Sequence, residues 1–132
     1  MGQQVSPGAR LSRALCTVLA ALACHVSHAA TPATTRSEID GLLKALQQSG
    51  CVFQRNGSWF SATEAKAHML RKLDYLEDKR GGVPSAEAFI EQAATRSSMT
   101  GQAYQVRCGT APAEPSAQWM TRTLKQVRHP GS

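Results

Sequence analysis

The sequence lacks three features that would place it in other protein classes. It has no apolar run of the roughly 18 residues that a membrane-spanning helix requires. Lys and Arg number 15 against 9 Asp and Glu, but no block of like charges concentrates the excess. A nucleic-acid-binding arm is therefore not predicted. Aromatic residues make up only 5% of the 132 residues. The length and the overall composition are those of one globular domain.

Several catalytic and metal-binding motifs are also missing. The chain contains no His-Glu-x-x-His, no Cys-x-x-Cys, no Gly-x-Ser-x-Gly and no Ser-x-x-Lys. These spacings serve zinc binding, redox chemistry and serine nucleophiles. We therefore predict no metal, no cofactor and no catalytic residue, and we expect a protein that is not an enzyme.

The first 29 residues have the pattern of a cleaved signal peptide. Arg10 and Arg13 precede an apolar stretch over residues 14–24, and Ser27-His28-Ala29 supplies a small-x-small cleavage site. We expect a periplasmic bacterial protein with no transmembrane segment once the signal is removed. Ala21-Leu22-Ala23-Cys24 also resembles a lipoprotein box, so anchoring through Cys24 is the alternative.

Cleavage would leave two cysteines, Cys51 and Cys108, because Cys16 and Cys24 fall within the signal. In an oxidising compartment such a pair predicts one disulfide. The wide spacing fits neither a zinc site nor a redox motif.

Apolar spacing predicts four helices in a single domain over residues 37–128, between a flexible lead-in at 30–36 and a frayed tail at 129–132. The first helix follows a Thr35-x-x-Glu38 capping box, and the second follows Ser61-x-x-Glu64 and runs to about Lys79. The third starts at Pro84-Ser85, and Pro115 fits the first turn of the fourth.

Three short segments alternate as strands do. Residues 51–55 and 58–60 flank Asn56-Gly57, a strong hairpin signal, and residues 104–108 form the third segment. A disulfide between the cysteines would place Phe53, Val106 and Tyr104 on one face of adjacent strands. The predicted fold class is α+β: four helices packed on a small antiparallel sheet of two to three strands, with one disulfide.

Two groups of polar residues are candidates for a binding site. Glu64, His68 and Lys72 are spaced four residues apart and form one line on a helix, able to support acid–base work or to hold an anion. The alternative is a solvated helix face. Ser97, Ser98 and Thr100 lie beside Arg96 and could form an anion-binding turn or offer a serine nucleophile, although a helix end followed by a Ser/Thr turn also accounts for them. Arg55 on the hairpin is a further candidate contact, although the turn alone also explains Arg55-Asn56-Gly57.

Four motifs in order resemble the YfeK-like family of small exported bacterial proteins of unknown function. They are Phe53-x-Arg55-Asn56-Gly57, Glu64-Ala65-x-x-His68-x-x-x-Lys72-Leu73, Ala86-Glu87-x-Phe89-Ile90 and Ser97-Ser98-x-Thr100-Gly101-x-x-Tyr104. The resemblance implies export and a shared fold. It implies no activity and no catalytic residues.

Two functional hypotheses follow. The first is a non-enzymatic periplasmic binding or interaction module that contacts an envelope protein or a small anionic ligand through the candidate residues. The second is a small periplasmic hydrolase in which His68 acts as a base with Ser97 or Ser98. The second requires the imidazole within about 3 Å of a serine hydroxyl, or one water away.

Overall fold

The computed structural model describes residues 2–4, 8 and 30–132. The predicted signal peptide, with Cys16 and Cys24, lies almost wholly outside the described residues. Four α-helices and four strands follow in the order α1, β1, β2, α2, α3, β3, β4, α4. The helices are α1 Ala33–Gln48, α2 Ala62–Arg80, α3 Ala86–Phe89 and α4 Ser116–Arg128. The strands are β1 Val52–Arg55, β2 Ser58–Ser61, β3 Gln105–Arg107 and β4 Glu114–Pro115.

The start of α1 differs from the sequence-based prediction. The helix begins at Ala33 after Pro32, and no side chain caps it. Thr35 is buried and donates to the Pro84 carbonyl. Glu38 accepts hydrogen bonds from Arg128 on α4. The predicted Thr35-x-x-Glu38 capping box is therefore wrong, because both side chains bond to residues distant in the sequence.

The segment predicted as a lead-in, residues 30–36, includes the start of α1 at Ala33. Thr31 Oγ1 accepts a hydrogen bond from the Val83 N–H at 3.2 Å. A Cβ added to Gly82 would lie 2.4 Å from the Thr31 backbone nitrogen. This segment packs against the end of α2, and only glycine permits that approach at a φ of +91°.

The hairpin and the disulfide are confirmed. Asn56 and Gly57 both have positive φ, at 48° and 82°, as a two-residue hairpin turn requires. β1 lies between β2 and β3, with Phe53 opposite both Phe60 and Val106. Cys51 and Cys108 are bonded just beyond the paired residues, so Phe53, Val106 and Tyr104 share one face as predicted.

The sheet has four strands, in the order β2-β1-β3-β4, rather than two to three. The fourth is Glu114–Pro115, which pairs antiparallel with β3. Pro115 is therefore not in the first turn of the last helix: it lies opposite Gln105, and α4 begins at Ser116. Proline is tolerated there because β4 is an edge strand.

The second helix matches its predicted signals. Ser61 and Glu64 form the reciprocal capping box, and Gly81 ends the helix in the left-handed conformation. The third is only one α-helical turn, capped by Ser85, and continues as a π-helix over Ile90–Ala94.

One core joins the helices to the sheet, which establishes the α+β class. The apolar stripes of α1, α2 and α4 meet Phe53, Val106 and the α3 segment. Gly41 allows a close approach of α1 to α4, because a Cβ there would lie 2.9 Å from Val127 Cγ1. Among the described residues, no helix has the length and apolar character needed to cross a membrane.

Candidate functional site

Four side chains form a connected polar cluster where the hairpin crosses α2, and we call Arg55, His68, Lys72 and Tyr104 the central cluster. Arg55 Nη1 lies 2.5 Å from His68 Nδ1. His68 Nε2 lies 3.1 Å from Tyr104 Oη, and Lys72 Nζ lies 3.4 Å from the same oxygen. Lys72 also donates to the Arg96 carbonyl at 3.0 Å.

The donors in the central cluster fix the protonation of His68. A guanidinium can only donate, so Nδ1 must accept from Arg55, and the ring is neutral with its proton on Nε2. That proton is then donated to Tyr104. Partial burial, together with the charges of Arg55, Lys72 and Arg71, lowers the pKa of His68 to about 4.

The pKa values of Lys72 and Tyr104 are also shifted from their usual values. Burial and the nearby Arg55 lower the pKa of Lys72. Burial raises the pKa of Tyr104, although Arg55 opposes the shift. Both shifts follow chiefly from burial, which disfavours the charged form of each group. Within residues 30–132, no Asp or Glu forms an ion pair with Arg55 or Lys72.

Two cavities adjoin the central cluster, and His68 and Arg71 line both. The larger, about 620 Å³, runs along α2, and we call it the cationic groove. It is lined chiefly by His68, Arg71, Lys72, Tyr75, Arg80 and Ser98. No acidic residue lines it.

The smaller cavity, about 230 Å³, lies between the hairpin and α2, and we call it the apolar pocket. Its apolar walls are Phe53, Phe60, Ala65 and Met69. Its polar lining includes Arg55, Tyr104 and Glu64, whose carboxylate is bonded to Ser61. The Arg55 guanidinium lies 4.7 Å from the centre of the Phe60 ring.

Within the described part of the chain, Glu64 forms no hydrogen bond to His68 or Lys72, the other two residues of its predicted line. The Glu64 carboxylate accepts from the Ser61 N–H and hydroxyl, at 2.8 and 2.9 Å, and these bonds lower its pKa. Glu64 thus stabilises the start of α2. His68 and Lys72 meet instead through Tyr104, which the sequence reasoning did not name as a site residue.

The turn over residues 97–100 is tied to the hairpin. Thr100 Oγ1 donates to Asn56 Oδ1 at 2.7 Å, and Asn56 Nδ2 lies 3.5 Å from Ser97 Oγ. Ser97 Oγ also accepts from the Met99 and Thr100 N–H groups. Ser97 and Thr100 therefore hold the turn in place, while Ser98 is exposed and faces the cationic groove.

The geometry gives the hydrolase hypothesis no support. Both ring nitrogens of His68 are occupied, one by Arg55 and the other by Tyr104. No hydrogen bond joins His68 to Ser97 or Ser98 in the described part of the chain. Within that part, no group of three or more His, Cys, Asp or Glu side chains could hold a metal ion.

A family model for a family of unknown function (DUF5329) matches residues 33–128, almost all of the folded region. The chain belongs to this family. It is also similar to an uncharacterized protein, YfeK, of Salmonella typhimurium, with 33% identity over 95 residues. The alignment covers 71% of this chain and 77% of that relative. No solved structure matches the chain significantly.

In this DUF5329 protein, three of the four motifs that suggested the family converge in space. The hairpin motif supplies Arg55 and Asn56, the α2 motif supplies His68 and Lys72, and the last motif supplies Tyr104. The hairpin and α2 thus meet at the central cluster, and the 97–100 turn is bonded to Asn56 next to it. The site lies where these motifs come together.

The central cluster predicts an acid-sensitive stability for this DUF5329 protein. Between pH 6.5 and about 4, unfolded His68 binds a proton that folded His68 does not, so stability falls as pH falls through that range. After allowance for partial exposure, we expect a loss of about 1–2 kcal/mol. His68→Gln should reduce this loss in urea titrations at pH 7 and pH 4.5.

His129→Gln is the matched control, because His129 is an exposed histidine beyond the end of α4. It should leave the acid-side loss of stability unchanged. Equal loss in the wild type and in His68→Gln would show that other groups cause the acid sensitivity.

Proposed function

We propose that this protein is an exported binding module, not an enzyme, and that it binds a small anion in the cationic groove. One observation carries the proposal. Lys72 and Arg55 are half-buried beside a neutral histidine, and Arg71 and Arg80 line the same groove as Lys72, with no carboxylate among its lining residues.

Uncompensated cations favour an anionic ligand. Burying positive charge is unfavourable unless an opposite charge accompanies it. The lowered pKa of Lys72 reports this cost, and a bound anion would remove it by favouring the charged ammonium. The Ser98 hydroxyl and the Gln92 amide line the same groove and would supply neutral hydrogen bonds.

Carboxylates and phosphates share the chemistry that this groove recognises. Arginine donates two parallel hydrogen bonds to either group, and lysine supplies a point charge. The proposal is therefore a binding function for a small carboxylate or phosphate.

Export is the second part of the proposal. The signal-like sequence over residues 1–29 supports it, and so does the Cys51–Cys108 disulfide, since disulfides persist mainly in oxidising compartments. In a bacterium that compartment is the periplasm, with lipid anchoring at Cys24 as the alternative form.

Inorganic phosphate is the first probe of the groove. We expect saturable shifts of amide signals from α2 in NMR titrations of the disulfide-bonded protein. Lys72→Met should weaken phosphate binding about tenfold, because it removes a charge-assisted hydrogen bond. Arg80→Gln, at an exposed residue of α2, provides a second variant that does not disturb the central cluster.

Lys44→Met is the matched control, since Lys44 is exposed in the middle of α1 and outside the groove. It removes the same charge and should leave the affinity within about twofold, because exposed charges act weakly at a distance. Absence of saturation, or equal weakening by Lys44→Met, would contradict the proposed function.

A further inference from the structure

The apolar pocket and the cationic groove are neighbouring cavities with two shared lining residues. His68 and Arg71 line both, and Arg71 is exposed. A cation at the junction of an apolar cavity and a charged groove suits a ligand with an apolar part and an acidic part. We propose that the natural ligand is an arylalkanoate: a carboxylate joined by a short chain to one aromatic ring. This inference rests on the proposed function.

The size of the apolar pocket sets the size of the apolar part. A dry cavity of about 150 Å³ lined by aliphatic and aromatic residues is large enough for benzene. The apolar pocket measures about 230 Å³, which is enough for one aromatic ring and a short linker.

The walls of the pocket favour an aromatic ring. Phe53 and Phe60 lie opposite each other on β1 and β2, and Met69 comes from α2. Rings pack favourably edge-to-face against other rings, and thioethers contact ring edges well. The acidic chain of a ring bound between these side chains could then reach Arg71, the exposed cation that lines both cavities.

Three small molecules test the two parts of the ligand separately: 3-phenylpropanoate, propanoate and 3-phenylpropan-1-ol. Burying one ring should make 3-phenylpropanoate bind about 10- to 100-fold more tightly than propanoate. The alcohol keeps the ring and lacks the charge, so it should bind at least about tenfold more weakly than 3-phenylpropanoate. Affinities come from NMR titrations of the disulfide-bonded protein.

Ala67→Leu tests the location of the ring. Ala67 is exposed on α2 and lines the apolar pocket, and leucine there should narrow the pocket without disturbing a helix that both residues favour. The variant should lose most of the preference for 3-phenylpropanoate while it keeps the affinity for phosphate. Thr63→Leu is the matched control, an exposed residue of α2 outside both cavities.

The outcomes separate this inference from the proposed function. If phosphate binds but 3-phenylpropanoate binds no more tightly than propanoate, the inference fails and the proposed function stands. If the alcohol matches 3-phenylpropanoate, the pocket takes rings without the acid, and the inference also fails. If neither phosphate nor any carboxylate saturates the protein, both fail. An unchanged preference in Ala67→Leu would exclude the apolar pocket as the ring site.

Discussion

Replacing Cys51 and Cys108 together by alanine should lower the free energy of unfolding by about 4 kcal/mol. The bond joins residues 57 positions apart, and closing a loop of that length restricts the unfolded chain by about this amount in the chain-entropy model. A small domain is stable by only about 5–15 kcal/mol. The bond therefore supplies a large share of the total.

The position of the disulfide adds to this effect. Cys51 precedes β1 and Cys108 follows β3, so the closed loop contains the hairpin, α2 and the 97–100 turn. The hairpin and α2 supply three members of the central cluster, and the turn is bonded to the neighbouring Asn56. Loss of the bond should thus loosen the site as well as lower the stability.

Urea unfolding of the wild type and of the double alanine variant measures the difference. Reduction of the wild type should reproduce the low stability of the variant, because both remove the same constraint. Equal midpoints for the oxidised wild type and the variant would refute the prediction.

The intact mass of the protein from an envelope fraction, measured without reductant, tests the bond and export together. Export predicts a chain that starts at residue 30 or 31, and the disulfide predicts a mass lower by two hydrogens.

The elements with local signals were predictable from the sequence. The Ser61–Glu64 capping box, the Asn56-Gly57 turn and the glycine end of α2 each depend on residues a few positions apart. The register of β1 and β3 was also accessible, since the disulfide aligns the two strands. Residues close in the sequence determine such features, so a single sequence is enough to predict them.

The predictions that were wrong concern elements that depend on contacts between residues distant in the sequence. Thr35 and Glu38 have capping-box spacing, but the Pro84 carbonyl and Arg128 provide their partners. β4 is only two residues long and exists because it pairs with β3. The π-helix after α3 shares its apolar spacing with an α-helix, so the sequence pattern does not distinguish the two.

The candidate site was predictable in part. Arg55, His68 and Lys72 were named from their residue types and spacing, and Tyr104 could have been found by extending the strand register to the position opposite Arg55. Arg71 could not, because an exposed arginine on a long helix resembles any solvated charge. Its position between two cavities follows only from the packing of the hairpin on α2.

The second large effect concerns Phe53, a buried residue that lines the apolar pocket. Phe53→Ala should lower the free energy of unfolding by about 3–5 kcal/mol, the cost of removing a buried ring and leaving a cavity. Phe53 is only 4% exposed. Trp59→Ala is the control on the opposite face of the sheet, and since Trp59 is 37% exposed, we expect a loss of about 1 kcal/mol.

Part of the Phe53 effect comes from one aromatic contact that links the sheet to α4. The rings of Phe53 and Trp119 lie edge-to-face, with centroids 5.7 Å apart. Such a pair contributes about 0.5–1.5 kcal/mol beyond the area it buries. A double-mutant cycle with Phe53→Leu and Trp119→Leu should show this coupling in urea unfolding, and additive losses would exclude it.

The same contact relates the stability of the fold to the binding site. Phe53 joins the α4 side of the core through Trp119 and lines the apolar pocket on the α2 side. Phe53→Leu keeps most of the buried volume but removes the flat ring surface. It should therefore reduce the preference for 3-phenylpropanoate over propanoate. Expressed as a free energy, this reduction should exceed the loss in the free energy of unfolding. A variant that loses stability and keeps the full preference would show that Phe53 supports the fold without shaping the pocket.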